Sequence, residues 1–268
     1  MISDFHIHSS FSTDSDESLE NIIKQAIALH MPSICITEHN DYDYPLNNGV
    51  VEFLLDVEKY TDTLQELAEK YAHAITVCIG VEQGLMKSVA DKADAYPALY
   101  PFDFIIGSSH LINGADPYYP EFWENVSEEQ GTLQYFESIL ENIACCHEYD
   151  VYGHLDYVIR YTKSKGAGYS YLKYADIIDE ILRQLIAKGK GIELNTAGFK
   201  YGLNAPNPCV DIIKRYRELG GEIITVGSDA HCFTHLGYDF HKVPDILKSC
   251  GFQYYTTFRK RTPQFHKL

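Results

Sequence analysis

Two histidines near the start of the chain, His6 and His8, are separated by one residue within a short apolar run. Alternate residues of a β-strand point to the same face, so both imidazoles can reach a single metal ion. One such pair is weak evidence, because a neutral histidine can also be satisfied by backbone groups inside a core. The chemistry that this spacing indicates is the binding of a divalent metal.

Similar ligand side chains close several later apolar runs, and this repetition strengthens the metal interpretation. The side chains are those of Glu38, His39, Glu82, His110, His154, Asp156, Asp229 and His231. Mixed histidine and carboxylate ligands without thiolates suit Zn, Mn or Fe. A carboxylate shared by two ions holds them roughly 3.5 to 4 Å apart, which is the spacing of two-metal hydrolases. The pattern therefore predicts a multinuclear metal site in a hydrolase.

The elements that must position these side chains follow an alternating pattern. Strand-like apolar runs cover residues 2–7, 33–37, 75–81, 102–107, 151–153, 191–195 and 222–227. Apolar residues recur at helical intervals in 19–27, 54–71, 133–143, 177–185 and 210–219. Strands alternating with helices are typical of parallel β/α units, whose functional residues gather at the carboxyl ends of the strands. The predicted ligands follow the strand-like runs.

Seven such units favour a closed or nearly closed β/α barrel. An open doubly wound sheet remains an alternative, although it brings seven strand ends to one point less readily. Residues 253–258 can form either an eighth strand or a surface hairpin. No linker or low-complexity segment divides the chain, so we expect one domain over residues 1–268.

Composition and charge narrow the class of protein. The chain has 268 residues, 45% of them hydrophobic, so it can bury a large core. Its net charge of −16 disfavours nucleic acid partners. Seven cysteines without a Cys-x-x-Cys pair are typical of reduced thiols. Neither a signal-peptide pattern nor an apolar run of about 18 residues occurs, which predicts a cytoplasmic protein without a membrane partner.

On its motifs the chain resembles the polymerase and histidinol phosphatase (PHP) superfamily, and within it the stand-alone histidinol-phosphate phosphatases of histidine biosynthesis. The motifs that carry the resemblance span residues 4–9, 36–40, 80–82, 107–110, 153–156, 193–198 and 227–231. They cover nearly the whole chain in the expected order. The resemblance implies a distorted (β/α)7 barrel with three divalent metal ions, which are Mn, Fe or Zn.

The ligands that the resemblance implies are His6, His8, Asp14, His39, Glu82, His110, His154, Asp229 and His231. One ion would take His6, His8, Glu82 and Asp229. A second, sharing Glu82, would take His110 and His154, and a third would take Asp14, His39 and His231. Position 14 departs from the family, since many relatives have His there, and Asp16 competes for the same role.

The activity implied is hydrolysis of L-histidinol phosphate to L-histidinol and phosphate by a metal-bridging hydroxide. Glu82, Asp229 and Arg160 are the predicted catalytic residues. Arg160 is also predicted to bind the phosphate as a fork, with an exposed structural arginine as the alternative. Glu38 is predicted to meet a substrate amine or to orient a ligand, although a strand points it away from the face of His39.

Four further predictions concern residues around the motifs. Asn195 and Asp156 either support a ligand histidine or cap strand ends. His235 lies near the third ion or is a plain loop residue. The aromatic cluster around Trp123 packs over an insertion or forms a wall for the substrate's imidazole ring.

Other functions remain open within this scaffold. A nucleotide or oligonucleotide phosphodiesterase would use the same metal motifs, and the negative charge argues modestly against it. A phosphotyrosine phosphatase acting on proteins would need an open site rather than a pocket. A metal-storage protein or scaffold has no use for a shared carboxylate with a nearby arginine. We therefore expect a small-molecule phosphomonoester as substrate, and no pattern indicates a particular oligomeric state.

Overall fold

The structure, a computed structural model, describes residues 2–45 and 53–268. Six parallel strands lie side by side in chain order. They are β1 (Ser33–Asn40), β2 (Thr76–Gly84), β3 (Phe104–Ser108), β4 (Val151–Tyr152), β5 (Gly191–Asn195) and β6 (Ile224–Gly227). Parallel neighbours in chain order require a crossover after every strand, and helices on the outside supply most of these crossovers.

The N-terminal segment, residues 2–8, lies between the two edge strands. Asp4 forms a parallel bridge with Ile34 of β1, and Ile7 forms one with Ala230 just beyond β6. The backbone N–H of Phe5 donates to the carbonyl of Val226 at 2.9 Å. The segment therefore supplies a seventh position between β6 and β1, which confirms the predicted distorted (β/α)7 barrel rather than an open sheet.

The helices of the described residues are α1 (Leu19–Ala28), α2 (Val57–Tyr71), α3 (Ala90–Ala95), α4 (Glu128–Cys145), α5 (Ala175–Ala187), α6 (Ala197–Lys200), α7 (Val210–Glu218) and α8 (Val243–Ser249). The prediction of a helix from residue 54 is wrong by three residues. Helix α2 begins after Asp56, because that side chain accepts a hydrogen bond from the backbone N–H of Lys59. Ser127 and Gln130 similarly form a capping box at the start of α4.

Residues 253–258, left open between two interpretations, belong to a hairpin. Strands β7 (Tyr254–Arg259) and β8 (Thr262–Lys267) pair with each other in antiparallel fashion. Phe258 is buried and stacks on Phe104 inside the barrel, with 5.0 Å between ring centroids. Arg259 binds Asp103, which directly precedes β3, at 2.9 Å. The hairpin covers the amino ends of the strands and leaves the carboxyl ends for the functional side chains.

Cysteine positions agree with the expectation of reduced thiols. All seven cysteines are unpaired. Cys35 and Cys78 lie buried in the apolar cluster inside the barrel, where they act as small hydrophobic side chains. As to membranes, no helix in the two described ranges has the length and apolar character needed to span a bilayer.

Candidate metal centre

The nine predicted ligand side chains converge at the carboxyl ends of the strands. His39 and Glu82 stand side by side in the register of β1 and β2. His110 follows β3, His154 follows β4, and Asp229 follows β6 by two residues. Because parallel strands carry their carboxyl ends to one edge, residues distant in sequence meet here.

The first group of ligand atoms consists of His6 Nε2, His8 Nε2, one Glu82 oxygen and one Asp229 oxygen. Glu82 Oε2 lies 3.2 Å from His6 Nε2 and 3.5 Å from His8 Nε2. Asp229 Oδ1 lies 3.8 and 3.7 Å from the same two nitrogens. Such separations fit ligands around one ion with bonds of about 2.0 to 2.2 Å. These are the four side chains predicted to share one ion.

The other oxygen of Glu82 faces a second group. Glu82 Oε1 lies 2.9 Å from His154 Nε2 and 3.2 Å from His110 Nε2. One carboxylate therefore contributes an oxygen to each group, which is the arrangement of a shared ligand between two metals. The predicted second set, Glu82 with His110 and His154, is brought together by the fold.

The third predicted set also meets. Asp14 Oδ2 lies 3.0 Å from His231 Nε2 and 3.6 Å from His39 Nε2. The ring of His8 stacks between those of His39 and His231, with centroid distances of 4.2 and 4.3 Å. Of the two candidate aspartates, Asp14 is therefore the one that the structure places beside both histidines.

Several buried polar atoms of this cluster have no hydrogen-bond partner among residues 2–45 and 53–268. They include His6 Nε2, His8 Nε2, His39 Nδ1 and Glu82 Oε2. A buried polar atom without a partner carries a large free-energy cost unless something else binds it. Divalent ions at this point would satisfy these atoms with the ligand types that Zn, Mn and Fe accept. The side chains present thus fit a metal cluster.

The electrostatics of the cluster keep its carboxylates ionised. Burial raises the pKa of Glu82, but the neighbouring His6 and His110 outweigh it and hold that pKa well below the usual range. Burial also raises the pKa of Asp229, and His6 and Arg160 again reverse the effect. Ionised carboxylates are the form that binds metal.

Two residues of the site were missed by the sequence reasoning. Asp41 Oδ1 lies 2.7 Å from His110 Nδ1, and Asp41 can also join His39 and His110 in a group of metal-binding geometry. Glu193 Oε1 lies 2.6 Å from His6 Nδ1, and its other oxygen accepts the backbone N–H of His154 at 2.9 Å. Such contacts fix ring orientation and tautomer. The available signals were a carboxylate two residues after His39 and a glutamate inside a buried strand.

Arg160 lies on the short turn Tyr157–Tyr161 after β4 and is 2% exposed. Its guanidinium donates to Asp229 Oδ2 at 2.8 Å, to Asn207 Oδ1 at 2.8 Å and to Asn195 Oδ1 at 3.0 Å. It also lines the cavity beside the ligands. The alternative of an exposed structural arginine is wrong, whereas the phosphate contact stays a prediction.

Glu38 does not reach the cavity wall that the structure describes, so the predicted contact with a substrate amine does not fit this structure. The carboxylate is fully buried and accepts hydrogen bonds from the hydroxyls of Ser9 and Ser12, both at 2.5 Å. Ser12 Oγ in turn lies 3.2 Å from His8 Nδ1 and accepts the backbone N–H of His39 at 3.0 Å. Strand alternation points Glu38 away from the ligand face, and its position fits the other predicted role, which was to orient a ligand.

Asn195 and Asp156 separate into two roles. Asn195 Nδ2 donates to Asp229 Oδ2 at 3.3 Å, so it supports a predicted ligand. Asp156 instead accepts from Asn207 Nδ2 at 2.5 Å and from the backbone N–H of Cys209 at 2.9 Å. Asp156 therefore holds the segment that contacts Arg160, and the prediction that it supports a ligand histidine does not fit.

A cavity of about 700 Å³ opens beside the cluster. Tyr118, Tyr119 and His235 contribute to its wall. Trp123 is buried away from it and donates from Nε1 to the carbonyl of Pro117 at 2.8 Å. The aromatic cluster thus divides into two tyrosines that face the cavity and a tryptophan that packs beneath.

The cavity and the ligand cluster occur in a chain similar to known proteins along nearly its full length. The PHP domain model matches residues 4–197. A Clostridium acetobutylicum protein named a probable histidinol-phosphatase is 33% identical over 257 residues, covering 94% of both chains. The Lactococcus lactis histidinol-phosphatase is 31% identical over 256 residues, covering 95% of this chain and 93% of that protein.

A solved structure extends this similarity to three dimensions. It is the crystal structure of histidinol phosphate phosphatase from Lactococcus lactis complexed with zinc, L-histidinol and phosphate. The two chains superpose with a TM-score of 0.91 at 30% identity, covering 98% of this chain and all of the other. At that coverage the two chains have the same fold along nearly their whole lengths.

Proposed function

The chain belongs to the PHP domain family, and we propose that it hydrolyses L-histidinol phosphate to L-histidinol and phosphate in histidine biosynthesis. The observation that carries this proposal is the convergence of nine ligand side chains in a fold that superposes on a histidinol phosphate phosphatase with a TM-score of 0.91. Relatives at 33% and 31% identity, named for the same activity, support it.

We propose that three divalent ions, which are Mn, Fe or Zn, bind to this cluster. The residues that would hold them are His6, His8, Asp14, His39, Glu82, His110, His154, Asp229 and His231. When bound, such ions polarise phosphoryl oxygens and lower the pKa of a bound water to about 7, which provides a nucleophile at neutral pH. The Lactococcus lactis structure was determined as a complex that contains zinc.

The chain's own residues prepare this centre for a phosphate group. Arg160 fixes Asp229 and has two of its five N–H groups left after its three hydrogen bonds, so it can donate to phosphate oxygens. Lys200 also lines the cavity, and its Nζ donates to the backbone carbonyl of Asp229 at 3.2 Å. These two cations offset negative charge on a phosphoryl group.

The shape of the site favours a small monoester over the alternative substrates. A cavity of about 700 Å³ is the size of a small-molecule pocket. Phosphotyrosine on a folded protein needs an open site. An oligonucleotide is negatively charged and is repelled by a chain whose net charge is −16. We also propose a cytoplasmic location, which seven unpaired cysteines support because thiols stay reduced there.

The proposal is tested in bacteria that lack histidinol phosphatase and cannot grow without histidine. Expression of this chain is expected to restore growth on histidine-free medium, whereas Glu82→Gln at equal protein level should not. Growth with the wild-type chain but not with the variant supports the function through the metal centre. Failure of the wild-type chain, when expressed and metal-loaded, contradicts it.

A further inference from the structure

The cavity beside the metal centre contains one carboxylate that no part of the predicted metal machinery uses. Asp116 lies in the loop after β3 and lines the cavity while only 8% exposed. The two cations of the wall, Arg160 and Lys200, both contact Asp229. Asp116 instead contacts Tyr44 and the backbone of Tyr118, so it occupies a different part of the wall.

The hydrogen bonds of Asp116 do not neutralise its charge. Tyr44 donates its hydroxyl to Oδ2 at 2.7 Å, and the backbone N–H of Tyr118 donates to Oδ1 at 2.7 Å. Both donors are neutral, and no Lys, Arg or His side chain forms an ion pair with Asp116 in the part of the chain that the structure describes. A largely buried carboxylate without a cation is costly, and burial accordingly raises its pKa.

A cationic ligand would supply what Asp116 lacks. We propose that Asp116 receives the protonated amine of the substrate and so makes the enzyme select phosphomonoesters whose leaving group carries an ammonium ion. This inference rests on the proposed function and adds the residue that recognises the leaving group of the substrate. The surrounding tyrosines suit the same group, since the rings of Tyr118 and Tyr161 lie 5.5 Å apart in the same wall and can contact a cation through their faces.

The test compares two ligands that each carry one charged group of the substrate: L-histidinol has the ammonium group, and inorganic phosphate has the phosphate group. For Asp116→Asn, the inhibition constant of L-histidinol should rise about tenfold or more, because a charge-assisted contact is lost. The inhibition constant of inorganic phosphate should change less than about threefold, since phosphate binds at the metal centre. The kcat/KM for L-histidinol phosphate should fall by about the same factor as histidinol binding, and that for p-nitrophenyl phosphate should fall much less.

Asp43→Asn is the matched control. Asp43 is an exposed aspartate close in sequence to Tyr44, so the variant removes the same charge outside the cavity wall. It should leave both inhibition constants as in the wild type. Equal losses of affinity for histidinol and phosphate in Asp116→Asn would overturn the proposal and indicate a structural role. Unchanged affinity for both ligands would also overturn the proposal.

A second measurement does not depend on the variant folding. The wild-type enzyme should hydrolyse 2-aminoethyl phosphate with a kcat/KM about tenfold above that of ethyl phosphate, which has no ammonium group. Equal rates on this pair contradict an ammonium site. Failure on L-histidinol phosphate with a clear preference in this pair would refute the proposed function but keep an ammonium site, and loss of that preference in Asp116→Asn would place the site at Asp116.

Discussion

Glu82 is the residue on which the two buried halves of the metal centre depend. Its Oε2 faces His6 and His8, and its Oε1 faces His110 and His154. A neutral amide at this position has one acceptor oxygen and cannot serve both groups. The shared position follows from strand register, because Glu82 is the single acid of β2 and stands beside His39 of β1.

Replacement of Glu82 by Gln is therefore expected to remove bound metal and turnover together. We expect kcat to fall on the order of a thousandfold, because the ions provide both charge stabilisation and the nucleophile. The measurement is metal content by mass spectrometry with phosphate release in the same samples. Glu66→Gln, on the exposed side of α2, is the control and should keep both. Full metal content and activity in Glu82→Gln would contradict the assignment.

Arg160 combines a structural contact with a predicted phosphate contact. Its guanidinium donates hydrogen bonds to Asp229, Asn195 and Asn207. The guanidinium carbon lies 5.4 Å from the ring centroid of Tyr157 and 5.0 Å from that of Tyr201. Asp229 depends on Arg160 and Asn195 for its orientation. Loss of the guanidinium should therefore affect both phosphate binding and the first group of ligands.

For Arg160→Met we expect kcat/KM to fall by about a hundredfold, the usual loss when a charged donor to the transition state is removed. The KM and the inhibition constant of phosphate should both rise. Steady-state kinetics with phosphate as inhibitor measures this change. Lys163→Met removes an exposed positive charge from the same loop and should have little effect. A phosphate affinity equal to wild type in Arg160→Met would rule out the phosphate contact.

At the scale of residues, the predicted metal ligands could be identified from the sequence more readily than the residues that orient those ligands by hydrogen bonds. His6, His8 and Glu82 could be named because ligand types recur at strand ends. Asp41 and Glu193 could not be separated from ordinary acids, because only the folded chain shows that they face His110 and His6. Of the two roles predicted for Glu38, the contact with a substrate amine does not fit, and the serine partners that show this become its neighbours only after folding.

At the scale of elements, α5 and α7 are joined by a carboxylate clamp. Asp179 of α5 accepts two hydrogen bonds from Arg215 of α7, at 2.9 and 2.6 Å, and one from Tyr171 at 2.7 Å. Hydrogen bonding to Arg215 lowers the pKa of Asp179 from 3.8 to about 2. A lowered carboxyl pKa stabilises the fold above the unfolded value of 3.8, and this contribution disappears as the pH falls towards 2.

Asp179→Asn should therefore lower the free energy of unfolding by roughly 1 kcal/mol at pH 7, a small value because Arg215 reaches solvent and water screens the pair. The difference from wild type should shrink as the pH falls from about 4 towards 2. Urea denaturation at several pH values measures it. Glu180→Gln changes an exposed neighbour on the same helix and should show no such trend. A difference that grows at acidic pH would contradict the clamp.

Long periodic elements were predictable and short ones were not. The apolar stripes of α1, α4, α5 and α7 repeat over two or more turns, so their existence followed from spacing. Helices α3, α6 and α8 have six, four and seven residues, too few for a repeat to stand out. Whether residues 253–258 form an eighth strand or a hairpin depended on how Phe258 packs inside the barrel, and no local sequence pattern reveals that packing.

At the scale of the whole molecule, the metal centre joins segments from most of the barrel. Its predicted ligands come from the N-terminal segment and the turn after it, from strands β1 and β2, and from the loops after β3, β4 and β6. Ions bound there hold together parts of the chain that are far apart in sequence. They also offset part of the net charge of −16.

Removal of metal should consequently destabilise the protein. A ligand at about a thousandfold above its dissociation constant contributes roughly 4 kcal/mol, and each kcal/mol shifts the melting temperature of a domain this large by about 2 to 4 °C. We expect a decrease of about 10 °C after chelation, restored by adding the metal back. Scanning calorimetry measures it. An unchanged melting temperature after complete metal removal would show that ions do not link the segments.

The central claim is that this barrel is a metal-dependent phosphatase for L-histidinol phosphate. The most direct test is steady-state phosphate release from that compound, a dinucleotide and a phosphotyrosine peptide, using protein reconstituted separately with Mn, Fe and Zn. With at least one of these metals, kcat/KM for L-histidinol phosphate should exceed the other two values by about a hundredfold or more. A higher kcat/KM for the dinucleotide or the peptide would contradict the proposed function while leaving the metal centre intact.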